Sequence, residues 1–189
     1  MLKKEARKIY KEKRKAPTAV QRMKLDDLLL IQFQQLQLPF LSSVLSFYPI
    51  EEHNEINTFL ITDYLQFKNP HLQIAYPKTD TVHNTMQAIS CNEDTDFEKN
   101  GYNIYEPVTC EIIEPQLLDV VLIPMLVFDK RGYRVGYGKG YYDRFLQECN
   151  ADCLKIGLNY FEAEEVIEDA NEYDVPLDFC ITPQKVYAF

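Results

Sequence analysis

At 189 residues, 46% apolar and 26% charged, the chain has the size and composition of a globular protein with one sizeable core. Its net charge of −9 argues against general nucleic-acid binding, because the phosphate backbone rewards basic surfaces. The longest apolar stretch, 120–128, contains Pro124 and falls short of the roughly 18 residues that span a bilayer, so neither nucleic acid nor membrane is an expected partner.

In chain order, residues 2–15 read as a basic helix carrying eight Lys or Arg against Glu5 and Glu12. This charged start lacks the apolar run of a signal peptide, and a cytoplasmic monomer is expected. Pro17 and Thr18 interrupt the helix, and Thr18 is an N-cap for a second one predicted to run to about Leu38, where Pro39 ends it. Residues 43–50 (SVLSFYPI) read as a strand closed by a proline turn. Residues 54–67 carry a helical stripe at Ile56, Phe59, Leu60, Tyr64 and Phe67. Residues 71–77 are the next strand, ended by Pro77, and 84–90 suggest another. Strand, helix, strand is the order of βαβ units in a parallel sheet with right-handed crossovers.

Residues 91–117 are polar and turn-rich, and read as a long surface excursion. Residues 119–129 are nearly all apolar without alternation, as in a central strand buried on both faces that Pro124 ends or bends. After a glycine-rich segment, residues 141–150 have helical character, and 153–160 and 175–183 are the last strands. The expected fold is α/β, a three-layer α/β/α arrangement around a mostly parallel sheet, in one domain over 1–189. Cys91, Cys110, Cys149, Cys153 and Cys180 are scattered without a CxxC pair and read as reduced packing thiols. His53, His71 and His83 have no metal-ligand spacing.

Four of the six glycines, Gly132, Gly136, Gly138 and Gly140, fall within RGYRVGYGKGYYDRF (131–145). The segment lies between a buried strand and a helix, where open α/β sheets bind ligands. Glycines at alternate positions permit positive φ and leave N–H groups uncovered, which with a following helix N-terminus receives an anion such as phosphate. Arg131, Arg134, Lys139 and Arg144 add charges suited to phosphate oxygens. The pattern matches neither the Walker A loop nor GxGxxG, and a glycine turn with solvated charges remains the alternative. Asp143 suits Mg²⁺ beside a phosphate or, equally, the first turn of a helix. Asp174 is a second carboxylate at a turn. The N-terminal cations supply a polyanion or form a solvated face. Tyr133, Tyr137, Tyr141 and Tyr142 suit a flat heteroaromatic ligand, or pack the helix that follows.

RVGYGKGYYDRFL (134–146), preceded by DVVLIPMLVFDKRGY (119–133), resembles the signature of the 5-formyltetrahydrofolate cyclo-ligases, also called methenyltetrahydrofolate synthetases. The resemblance spans nearly the whole chain: Lys3 to Arg7, Glu55 to Thr58, Tyr76–Pro77, Glu106–Pro107 and YDVPLDFCIT (173–182) occur in the family's order. It implies a fold related to sugar-phosphate isomerases and CoA-transferases, and ATP- and Mg²⁺-dependent conversion of 5-formyltetrahydrofolate to 5,10-methenyltetrahydrofolate with release of ADP and phosphate. It further implies that Lys3, Lys4, Arg7, Arg134, Gly136, Gly138, Lys139, Gly140, Tyr141 and Tyr142 contact ATP. Ile50, Glu55, Tyr137, Gly138, Lys139, Gly140 and Tyr141 would border the folate. Asp143 and Asp174 would serve Mg²⁺, and Lys139, Arg134 and Tyr142 would act in catalysis. Met125 stands where the family usually has Gly, and Val127 where it often has Ala, which predicts a narrower strand-end pocket. Residues 161–173 depart further, with Tyr173 where His often precedes the Asp. A sugar-phosphate isomerase-like or CoA-transferase-like protein and a non-catalytic metabolite-binding or sensor protein are the competing readings.

Overall fold

The computed structural model describes residues 1–109 and 111–189; Cys110 lies outside them. The basic segment forms α1 (Lys3–Lys13), and α2 (Ala19–Phe33) follows the Pro17–Thr18 break. Thr18 caps α2 reciprocally: its hydroxyl accepts from the Gln21 N–H, and the Gln21 side chain accepts from the Thr18 N–H. The helix stops short of the predicted Leu38 because its last turn tightens, with Gln35 and Leu36 N–H bonding carbonyls three residues back.

Strand β1 (Ser43–Leu45) is shorter than the apolar run containing it, and a 3₁₀ turn (Glu51–His53) leads to α3 (Phe59–Lys68). Strand β2 (Gln73–Asp80) runs through Pro77 instead of ending there. The backbone of Gln73 and Ala75 bonds toward β1, and Pro77 has the same orientation, but β1 has already ended, so no ladder donor is lost. Strand β3 (Thr85–Cys91) pairs antiparallel with β2. The polar excursion then carries β4 (Phe97–Lys99), β5 (Tyr105–Pro107) and β6 (Ile112–Ile113). Strands β7 (Val120–Pro124), β8 (Val127–Phe128) and β9 (Arg134–Val135) precede α4 (Tyr141–Glu148). Strands β10 (Leu154–Leu158), β11 (Phe179–Ile181) and β12 (Val186–Ala188) complete the chain.

Among the described residues, eight strands form one sheet in the order β12-β11-β10-β7-β1-β2-β3-β6. The five central strands, from β11 to β2, pair parallel, and the outer ones antiparallel. Strand β7 sits mid-sheet, buried on both faces: Val120 and Leu122 join the core under α2 and α3, while Val121 and Ile123 join the core under α4. Burying each such side chain contributes about 1.5–3 kcal/mol. The result is three layers, with α2 and α3 on one face and α4 on the other. Helix α1 packs separately, Ala6 and Tyr10 meeting Leu126, Val127, Val135 and Ile167.

The chain leaves β1 for its neighbour β2 on one side, and leaves β7 for β10 on the other. The crossovers therefore diverge between β1 and β7, and this topological switch point is where open α/β sheets form a crevice at their carboxyl ends.

Candidate functional site at the switch point

The crevice is closed by one residue from each side. Glu55 lies on the connection after β1, and Tyr137 on the glycine-rich connection after β7. The Tyr137 hydroxyl donates to Glu55 and accepts from the Arg14 guanidinium at 2.9 Å. The other Glu55 oxygen accepts from the Ile50 N–H at 2.9 Å. Burial, and then the Glu55 charge, push the Tyr137 phenol well above its ordinary pKa. Its ring stacks on His53 with centroids 5.3 Å apart and planes 27° apart. Ile50, Glu55 and Tyr137, expected together from the resemblance, thus meet.

Helix α1 lies along the glycine-rich segment. Lys3, Arg7, Tyr10 and Arg14 are spaced i, i+4, i+7 and i+11, which puts them on one helical face. Lys3 pairs with Asp174 at 2.7 Å, and Arg7 donates from Nε to the Gly136 carbonyl at 3.0 Å. The Arg7 guanidinium also lies 3.2 Å from where a Cβ on Gly138 would stand, and Gly138 has φ +101°. A side chain there would be both strained and crowded. Lys4 is off this face and exposed, and its side chain makes no hydrogen bond or ion pair among the described residues. Gly140, at φ +72°, precedes α4 and provides no side-chain cap, leaving first-turn N–H groups open to an anion. Lys139 is exposed, its ammonium 5.3 Å from the Tyr102 ring.

Arg134 is positioned differently from the surface cation the sequence suggests. It is 7% exposed, donating to the Val175 carbonyl and, at 2.7 Å, to Asp143. Burial lowers the pKa of its guanidinium, and the charge and hydrogen bond of Asp143 oppose that shift. Arg134 therefore braces the loop from behind. Arg131 is likewise committed, to Asp129 and the Ile167 carbonyl, and Arg144 to the Asn84 and Lys139 carbonyls. Tyr142 is packed against the α4 core, its hydroxyl buried without a partner among the described residues, while Tyr141 packs there too with Arg144 beside its ring.

Of the two expected Mg²⁺ carboxylates, Asp174 has both oxygens on the Lys3 ammonium and one on the Asn171 N–H. Asp143 engages one oxygen, with Arg134 and the Val175 N–H, and its other oxygen has no hydrogen bond among the described residues. That oxygen would suit Mg²⁺, which takes one or two protein carboxylates beside phosphate oxygens and water. Asp143 is the residue that would hold it, and Asp174 anchors α1.

Met125 and Val127 do not narrow a pocket. Met125 is fully buried, and its side chain runs over Gly157, where an added Cβ would fall 2.0 Å from the Met125 Cε. Val127 is buried beneath α1. Two clefts, of about 440 Å³ beside Lys13 and Glu164 and about 340 Å³ beside Phe40 and Asp152, involve none of residues 134–143. Arg14, His53 and Asn54 were not singled out from the sequence. For Arg14 a signal existed, its helical register with Lys3 and Arg7; for His53 nothing local identified a stacking partner.

Three comparisons bear on this geometry. A segment 32% identical over 118 residues aligns with the 5-formyltetrahydrofolate cyclo-ligase of Haemophilus influenzae, covering 60% of this chain and 61% of that protein. The cyclo-ligase of Mycoplasma genitalium is 42% identical over 69 residues, 36% of this chain and 42% of that protein. The matches thus span about 42–61% of the length of these curated relatives. The structure of the Aquifex aeolicus 5,10-methenyltetrahydrofolate synthetase superposes with a TM-score of 0.80 at 26% identity, covering 100% of this chain and 93% of that one. The 5,10-methenyltetrahydrofolate synthetase of Mycoplasma pneumoniae gives 0.74 at 27% identity, covering 96% and 98%. The model of the 5-formyltetrahydrofolate cyclo-ligase family matches residues 1–183, and the chain belongs to that family.

Proposed function

We propose that the chain converts 5-formyltetrahydrofolate to 5,10-methenyltetrahydrofolate in the cytoplasm, consuming ATP and releasing ADP and phosphate. The observation that carries this function is the meeting, at one switch point, of a cation-flanked glycine loop with the buried carboxylate of Glu55 through Tyr137. A polyanion and a flat ring bearing N–H groups are thereby served side by side.

The chemistry required is transfer of the ATP γ-phosphoryl group to the formyl oxygen, making that oxygen a leaving group. N10 then attacks the formyl carbon, its proton is lost, the ring closes, and the C–O bond breaks to release phosphate. Positioning and charge neutralisation dominate such a reaction, and no protein nucleophile is needed. The N–H groups around Gly136, Gly138 and Gly140, with Arg7 and Lys139, receive the phosphates; Lys4, one position round the helix, is available to an extended polyphosphate. Bound Mg²⁺ supplies further neutralisation of phosphate charge, held through Asp143. Arg134 acts by fixing Asp143. Glu55 accepts from pterin N–H groups, with Ile50, Tyr137 and Tyr141 bordering the ring. Tyr142 offers its hydroxyl to the reacting end.

The test is absorbance at the methenyl-folate band with purified protein, 5-formyltetrahydrofolate, ATP and Mg²⁺. A rise that needs all three additions is expected. No ATP-dependent rise would remove the proposal.

A further inference from the structure

We infer that Arg14 is the positioning residue of the folate end of the site, holding Tyr137 and Glu55 in register to receive the pterin edge; the inference rests on the cyclo-ligase function. Arg14 follows the last turn of α1, 4% exposed and surrounded by groups from three connections. One terminal nitrogen donates to the Tyr137 hydroxyl at 2.9 Å and lies 3.9 Å from Glu55. The other donates to the Met125 carbonyl beyond β7. Its own carbonyl accepts from the Asn54 side chain at 3.1 Å, so the end of α1 is tied to the residue next to Glu55. Asn54 has φ +49°, a conformation asparagine tolerates.

A buried arginine that only braced the fold would have its donors satisfied. Here Nε is buried with no partner among the described residues. Arg14 lies against Glu55, so that donor and the carboxylate share one enclosure. The enclosure therefore combines a carboxylate acceptor with an unspent donor. That set is complementary to a ring edge presenting N–H beside C=O, as the lactam of a pterin does. A planar fork is required, because a lysine ammonium is a single point donor and cannot span Tyr137, the Met125 carbonyl and a ligand together.

The experiment compares Arg14→Lys and Arg14→Gln with the unsubstituted protein in thermal unfolding, in KM for each substrate, and in equilibrium binding of 5-formyltetrahydrofolate without ATP. Both variants are expected to raise the folate KM and weaken folate binding at least tenfold, with the ATP KM within twofold and no rescue by lysine. A lowered unfolding temperature with unchanged folate binding would reduce Arg14 to a structural brace and overturn the inference. A parallel rise in the ATP KM would overturn it too, by assigning Arg14 to the phosphates. Should the Arg14 variants not fold, Tyr137→Phe, which removes the hydroxyl they share, is expected to give the same KM split, and an unchanged folate KM there overturns the inference. If the unsubstituted protein neither turns over nor binds 5-formyltetrahydrofolate, the function itself falls; normal turnover with indifferent Arg14 variants defeats the inference alone.

Discussion

Arg134, buried behind the glycine loop, has its charge met by one oxygen of Asp143 at 2.7 Å. Asp143→Ala strands that guanidinium, whose remaining hydrogen bond among the described residues is to the Val175 carbonyl. Loss of a partner to a buried charge costs several kcal/mol when both groups are enclosed, and Asp143 is 30% exposed at its side chain, so about 2 kcal/mol is expected. Urea unfolding measures it. Asp143→Asn, which can still accept from Arg134, is expected to retain more stability while losing the free anionic oxygen and, with it, turnover. Unchanged stability in Asp143→Ala would contradict the bracing role of the pair.

Lys139 presents the opposite case, a loop cation that is exposed and whose ammonium lies over the Tyr102 ring. Lys139→Ala is expected to leave the urea midpoint within error, because exposed contacts of this kind contribute about 0.5–1 kcal/mol at most. Its turnover should fall at least a hundredfold, with a raised KM for ATP. Near-normal kinetics would remove Lys139 from the phosphate site.

Met125 fills the volume that Gly157 leaves on the neighbouring strand. Met125→Ala is expected to lower stability by roughly 2–5 kcal/mol, the range for emptying a buried Met site, while the KM for folate stays within twofold. A folate KM changed without loss of stability would return Met125 to the pocket wall.

Asp26, on the buried face of α2, accepts from the Tyr160 hydroxyl at 2.7 Å and the Asn57 N–H at 3.3 Å, and burial raises its carboxyl above the usual value despite those bonds. A carboxyl with a raised folded pKa binds its proton more readily folded than unfolded, so stability falls as pH rises through that pKa. Asp26→Asn keeps an acceptor for both donors and has no charge to bury. It is expected to unfold at a higher temperature than the unsubstituted protein near pH 7, the gap closing as pH falls towards 4. A gap that widens on acidification would reverse the sign and refute the account.

Much of this was legible in the sequence. The unbroken apolar run at 120–123 correctly placed the central strand, because only a strand covered on both faces needs no alternation. The glycine spacing placed a turn at positive φ, at Gly138 and Gly140. What local pattern could not show was partnership. Arg131, Arg134 and Arg144 read alike as loop cations, yet each is bound by groups up to 60 residues away in sequence. Pro77 read as a strand end because its missing N–H matters only if a neighbouring strand is still present, and where β1 stops is a tertiary fact. The crevice between Glu55 and Tyr137, 82 residues apart, exists because the sheet order reverses between β1 and β7.

The most direct test of the proposed chemistry follows one atom. With 5-formyltetrahydrofolate carrying ¹⁸O in the formyl group, ATP and Mg²⁺, single-turnover mixtures are separated and the phosphate is analysed by mass spectrometry. Phosphoryl transfer to the formyl oxygen at this site predicts one ¹⁸O in each phosphate released, formed in step with the methenyl absorbance. Unlabelled phosphate, or methenyl product formed without ADP, would contradict it.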